Sequence, residues 1–103
     1  NNLKEFSSVK GLDGIIIGPY DLSSSMGYPG EYSKTIVTKA LNKINQIIIG
    51  TNLSLGFHVI ESNHEAIIEK LNKKFNFLAF SMDSLFLNAK IKHEMNELKK
   101  VIK

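Results

Sequence analysis

The chain predicts an α/β fold built on parallel strands, and two observations carry that prediction. Three short segments are almost wholly apolar, without the in/out alternation of a half-exposed antiparallel strand, as befits strands covered by helices. Between them the apolar residues change to the 3.6-residue spacing of amphipathic helices. With 103 residues, 43% of them hydrophobic and 22% charged, the chain has the size and composition of one small globular domain at most.

In order, residues 3–9 read as the tail of a helix. Gly14-Ile15-Ile16-Ile17-Gly18 is a continuous apolar run between glycines, as expected of a strand buried on both faces. Ile36, Val37, Ala40, Leu41, Ile44, Ile47 and Ile48 then form one helical stripe, with Gly50 and Asn52 as a stop. The second strand is Leu55-Gly56-Phe57-His58-Val59-Ile60. A shorter helix is expected from Ser62, where Ser62-Asn63-His64-Glu65 has the spacing of a capping box, and it should bury Ile67, Ile68 and Leu71. Residues 75–80 make the third strand. The last helix begins near Asp83 or Ser84 and carries Leu87, Ile91, Met95, Leu98 and Ile102, a stripe suited to another helix or a neighbouring subunit. The order is αβαβαβα with right-handed crossovers. Three parallel strands leave two unpaired edges, and the chain opens inside a helix-like segment. Residues 1–103 therefore read as a single partial domain, a piece of something larger.

Composition removes several function classes. The absence of cysteine excludes disulfides, thiolate chemistry and zinc–thiolate sites. The longest apolar runs fall far short of the ~20 residues needed to cross a bilayer. No secretory leader opens the chain, so a cytoplasmic protein without a membrane partner is expected. All thirteen basic residues are lysines. Without arginine forks for bases and phosphates, and with a net charge of only +3, nucleic acid is not an expected partner.

The segment richest in chemistry is residues 18–30, directly after the first strand and at its carboxyl end, where α/β sheets and barrels place ligand sites. Asp21 puts a carboxylate there, beside backbone amides and the hydroxyls of Ser23, Ser24 and Ser25. Magnesium or manganese would accept such an oxygen set. The simpler alternative is that Asp21 caps the turn that follows, accepting from the amides of Ser23 or Ser24. The serine run has no histidine or acid at a triad-like position, which argues against nucleophilic catalysis. His58 is either a site residue or a core histidine bonded to a neighbour. His64 reads as solvated and His93 as surface. No known ligand spacing joins Glu61, His58 and His64. Ser81 and Asp83 are read as the start of the last helix.

The stretch Asp13-Gly14-Ile15-Ile16-Ile17-Gly18-Pro19-Tyr20-Asp21-Leu22-Ser23-Ser24-Ser25-Met26-Gly27 resembles the signature of the HpcH/HpaI aldolase/citrate lyase family. These are class II, metal-dependent pyruvate aldolases built on a TIM barrel. The likeness continues, in matching order and separation, through Gly56-Phe57-His58-Val59 and Phe77-Leu78-Ala79-Phe80-Ser81-Met82-Asp83. It implies the C-terminal portion of a TIM (β/α)8 barrel, about three parallel strands with flanking helices, out of the ~250 residues of a whole barrel.

The activity implied is reversible aldol cleavage of a 2-keto-3-deoxy (4-hydroxy-2-oxo) acid to pyruvate and an aldehyde, with divalent magnesium or manganese as Lewis acid. On this resemblance Asp21 matches a metal-ligating carboxylate, and Tyr20 sits where a backbone amide meets the carboxylate of pyruvate. Gly18 and Pro19 shape that loop. His58 falls where the family faces the substrate and influences aldehyde selectivity, at a position usually apolar. A second carboxylate ligand, an arginine clamp and the base histidine belong to earlier strands. The chain would then supply only part of the active site and be inactive alone. The family also implies a homo-oligomer assembled through the last helix. Two alternatives stay open: an acyl-CoA ester lyase of the same superfamily, and a non-catalytic truncated paralogue serving as an assembly module.

Overall fold

In the computed structural model, which describes residues 2–102, three parallel strands lie side by side: β1 (Gly14–Ile17), β2 (Ser54–Val59) and β3 (Phe77–Phe80). The register pairs Ile16 with Gly56 and Ile17 with Phe57, and on the other edge Gly56 with Phe77 and His58 with Ala79. Because side chains alternate along a strand, this register sorts the sheet into two faces. Ile15, Ile17, Leu55, Phe57, Val59 and Leu78 turn toward the helices and form the core with Ile48 and Phe75. Phe57 and Phe75 meet edge to face at 5.1 Å. The start of β2 is tied to the residue before β3, since Asn76 Oδ1 accepts from the Leu55 amide while the Asn76 amide donates to the Leu55 carbonyl.

The opposite face carries Ile16, Gly56, His58, Phe77 and Ala79, and no second layer covers it among the described residues. Burial of the strands on both faces is therefore corrected: Ile16 is 47% exposed and Phe77 52% exposed, because helices cover one side of the sheet only. Gly56 is required beneath Phe77, whose ring carbon would lie 2.9 Å from a Cβ there. In a closed barrel this face would line the interior.

Five helices form among the described residues. α1 (Leu3–Phe6) ends sooner than expected, as the hydroxyls of Ser7 and Ser8 bond back to the carbonyls of Lys4 and Glu5. α2 (Pro19–Ser25) stands where the sequence suggested only a turn, with Gly18 as N-cap and Pro19 pre-set for the first helical position. α3 (Thr35–Ile49) buries Val37 and Ile48 and packs Leu41, Ile44 and Ile47 along the core, while Ile36 lies outside the stripe and is exposed.

α4 (His64–Asn72) corrects the capping box by one residue. Its N-cap is Asn63, whose Oδ1 accepts from the Ala66 amide at 3.0 Å. It meets the core through Ala66 and Ile67, leaving Ile68 and Leu71 about half exposed instead of buried. It closes with Lys74 in the left-handed region (φ 69°) and a bond from the Phe75 amide back to the Lys70 carbonyl.

α5 (Asp83–Val101) starts with Met82 as N-cap, so Ser81 lies outside it. Its stripe of Leu87, Ile91, Met95, Leu98 and Ile102 is exposed, and the helix projects from the body. The molecule extends 62 Å along its longest axis, with a radius of gyration of 17.2 Å, against ~13 Å for a compact domain of this length. No helix among the described residues is long and apolar enough to cross a membrane.

Candidate active site

β1 delivers Gly18, Pro19, Tyr20 and Asp21 to the carboxyl end of the sheet by running straight into α2. The first turn of a helix leaves its leading amides without intrahelical partners and carries partial positive charge. Asp21 lies in that first turn. Its carboxylate makes no side-chain hydrogen bond or ion pair among the described residues, so the bond expected to the Ser23 or Ser24 amide is not made. Instead the carboxylate folds back over Gly18, where Oδ2 would lie 2.9 Å from a Cβ. Glycine at 18 is what makes room for it. Pro19 is buried and Tyr20 is 54% exposed, its ring edge lying against Gly30.

The loop after α2 is fixed by Ser23, which is wholly buried. Its hydroxyl donates to the Tyr20 carbonyl at 2.9 Å and accepts from the Gly30 amide at 3.0 Å. Gly27 and Gly30 take positive φ angles of 84° and 75°, which turn the chain back on α2. Ser23 is thus the structural member of the serine run, while Ser24 and Ser25 are exposed.

This loop carries Tyr32 to the neighbourhood of Tyr20 and of Glu61, just beyond β2. Burial first, then the Glu61 charge and the Tyr20 phenol, push the Tyr32 phenol above its usual value. Sequence reasoning missed Tyr32; the only sign of it was the pair of turn glycines that fold its loop inward. Pro19, Tyr32, His58 and Glu61 border one cavity of about 330 Å³, which runs between α3 and α4 to Asn45 and Lys70. Lys70 Nζ lies 4.8 Å over the Phe57 ring. The amide nitrogen of Asn45 reaches the Lys73 carbonyl at 3.5 Å, and its buried Oδ1 has no partner.

His58 is half-buried, with Nε2 2.9 Å from the Ser81 carbonyl. The core-histidine reading of His58 thus has its bonded neighbour. Ser81 does not start the last helix: it is buried and joins the ends of β2 and β3, its amide donating to Val59 O (2.6 Å) and its hydroxyl to Ile60 O (2.7 Å). Asp83 does open the helix, its Oδ1 accepting from the Ser84 amide. His64 and His93 are exposed.

A hard divalent cation wants several oxygen ligands. Asp21 offers one uncommitted carboxylate. No group of three histidine, aspartate or glutamate side chains able to hold a metal converges among the described residues. The residues present fit one position of a coordination sphere and no more.

Comparison with known proteins adds to this geometry. Residues 1–88 match the HpcH/HpaI aldolase/citrate lyase family. The chain is 33% identical over 85 residues to a 2-keto-3-deoxy-L-rhamnonate aldolase of Klebsiella pneumoniae, covering 82% of this chain and 31% of that protein. It is 31% identical over 77 residues to a 4-hydroxy-4-methyl-2-oxoglutarate aldolase of Chaetomium globosum, covering 72% and 29%. The chain therefore spans about a third of the length of these curated relatives. Among solved structures, an HpcH/HpaI aldolase/citrate lyase family protein from Burkholderia cenocepacia superposes with a TM-score of 0.85 at 18% identity, over 94% of this chain and 37% of that one. The three strands and their helices are thus part of a TIM-barrel-type fold.

Proposed function

The chain belongs to the HpcH/HpaI aldolase/citrate lyase family, and from that premise we propose that it contributes one segment of a class II pyruvate aldolase site. The reaction is reversible cleavage of a 2-keto-3-deoxy (4-hydroxy-2-oxo) acid to pyruvate and an aldehyde. The observation that carries this reading is the uncommitted Asp21 carboxylate at the carboxyl end of β1. Asp21 would hold part of the coordination sphere of a Mg2+ or Mn2+ ion, which when bound would supply Lewis-acid chemistry. The Tyr20 amide, in the first turn of α2 and outside its hydrogen-bond ladder, donates to the carboxylate of pyruvate. Gly18 and Pro19 hold that amide and Asp21 on one short loop. His58 lies farther along the strand ends, on the side of the aldehyde. No residue of this chain takes the proton from the pyruvate methyl group; that base, the arginine clamp and the remaining metal ligand belong to other strands of a whole barrel. The open sheet face, the two free edges and the exposed α5 stripe support assembly with further copies of the chain.

Deuterium exchange into the methyl group of pyruvate, followed by NMR with Mn2+ and again with a chelator, tests the reading without any choice of aldehyde. The chain alone should show no exchange. Metal-dependent exchange should appear when it is joined to the preceding barrel units of the Klebsiella relative, and vanish again on Asp21→Ala. Exchange by the chain alone would refute the partial site, and none in either form would favour a non-catalytic assembly module.

A further inference from the structure

α4 is fastened firmly beyond its two ends and only lightly along its length. Before it, the Ser81 hydroxyl bonds the Ile60 carbonyl at 2.7 Å. After it, Phe75 is buried and Asn76 is bonded twice to Leu55. Between those anchors no residue of α4 is buried, whereas α3 buries Val37 and Ile48. The inward side of α4 is Ala66, Ile67 and Lys70, so a lysine stands where a core-facing helix carries an apolar residue. Its ammonium lies 4.8 Å over the Phe57 ring, and the cavity of about 330 Å³ separates α4 from α3 beside it. The ion pairs of Glu69 with Lys70 and Lys73 join α4 to itself and its own C-cap, not to its neighbours.

The closed position also carries two local penalties, both at the C-terminal end of α4. Lys74 holds a left-handed backbone (φ 69°), which a side chain disfavours. Across the seam, Asn45 Nδ2 reaches the Lys73 carbonyl only at 3.5 Å, and Asn45 Oδ1 is buried without a partner among the described residues. A buried acceptor without a donor is destabilising, and lifting α4 would give it to water. Opening therefore relieves both penalties. The ladder of β1, β2 and β3, by contrast, involves no residue of α4.

We propose that α4 is a lid: residues 61–74 open as one unit between the anchors at Ile60 and Phe75, uncovering the cavity over Phe57 while the sheet and α3 stay folded. This device rests on the packing of α4 and stands apart from the aldolase reading.

Native-state hydrogen exchange of the intact 103-residue chain, followed by NMR at low urea concentrations, tests it. Amides within α4 should exchange together, faster than those of β2 and α3, and with a weaker urea dependence because less surface is exposed. A single urea dependence shared by all three elements would mean that α4 opens only with the whole molecule, and overturns the lid. Two variants separate the openings. Lys74→Gly removes the backbone penalty from the closed state and should slow exchange in α4 about two- to fivefold. Ile17→Val lies on β1, which stays folded when the lid opens. It should speed exchange in β2 about two- to tenfold and leave α4 unchanged. Exchange in α4 that ignores Lys74→Gly, or that quickens in step with β2 in Ile17→Val, overturns the proposal.

Discussion

Gly18 and Asp21 occupy one another's space, and that makes the glycine a control on the carboxylate. A Cβ at position 18 would press on Asp21 Oδ2, the far end of a flexible side chain, so the protein can accept it by swinging the carboxylate aside. Gly18→Ala should therefore fold normally, since φ is −87°, yet weaken Mn2+ binding of the completed barrel by about tenfold. Manganese EPR titration beside a thermal melt checks both halves. Tyr32 gives a second prediction. Glu61→Gln should bring the Tyr32 phenol down toward its ordinary value near 10, read from phenolate absorbance. With the folded value raised, the contribution of Tyr32 to stability is present below that ordinary value and lost as pH rises through the folded one. Asp21 was legible in the sequence because its place, just past an apolar run, is a local fact. Tyr32 and Ser81 were not, since each acts through contacts with residues far along the chain or, for Ser81, through a backbone angle that composition does not reveal; Ser23 was not, since nothing in the run of three serines marks which one is turned inward.

Among the elements, α4 discriminates most sharply between sequence pattern and structure. Both Ser62 and Asn63 are good capping residues, and the capping-box spacing favoured the first; the bond from the Ala66 amide belongs to the second. Asn63→Ala should cost about 1 kcal/mol and Ser62→Ala almost nothing, by urea denaturation. At the other end Lys74 holds a left-handed angle that a side chain disfavours, so Lys74→Gly should be stabilising by about 0.5–1 kcal/mol. Where α4 borders the cavity, hydrogen bonds from Lys73 and then Lys70 hold the Glu69 carboxyl below its usual range. That contribution is in place above the unfolded value and lost as pH falls through the folded one. Glu69 and Lys73 are both more than half exposed, so it amounts to less than about 1 kcal/mol. The helix periods and apolar runs were readable because they are repeats within a single element. The one-sided burial of the sheet was not, because a run such as Ile15-Ile16-Ile17 looks the same whether one face or two are covered.

For the molecule as a whole, the sheet resembles an arc of a barrel with its concave side open. Ile16 and Phe77 on that side, two free strand edges and the α5 stripe together predict self-association of the isolated chain by light scattering; a clean monomer would refute it. Removing residues 87–103 should reduce that association more than it reduces stability, because α5 beyond Phe86 adds little to the core. The projection of α5 has one more consequence, for the order in which the chain acquires structure. The roughly 15 residues of α5 beyond Phe86, without tertiary support, are marginal as a helix in water. They would gain persistence only when a second surface covers Leu87 to Ile102, so ordering and docking become a single thermodynamic event. Ellipticity at 222 nm should then rise with protein concentration, and the heat of dilution should carry the negative heat-capacity change of assembly that marks coupled folding.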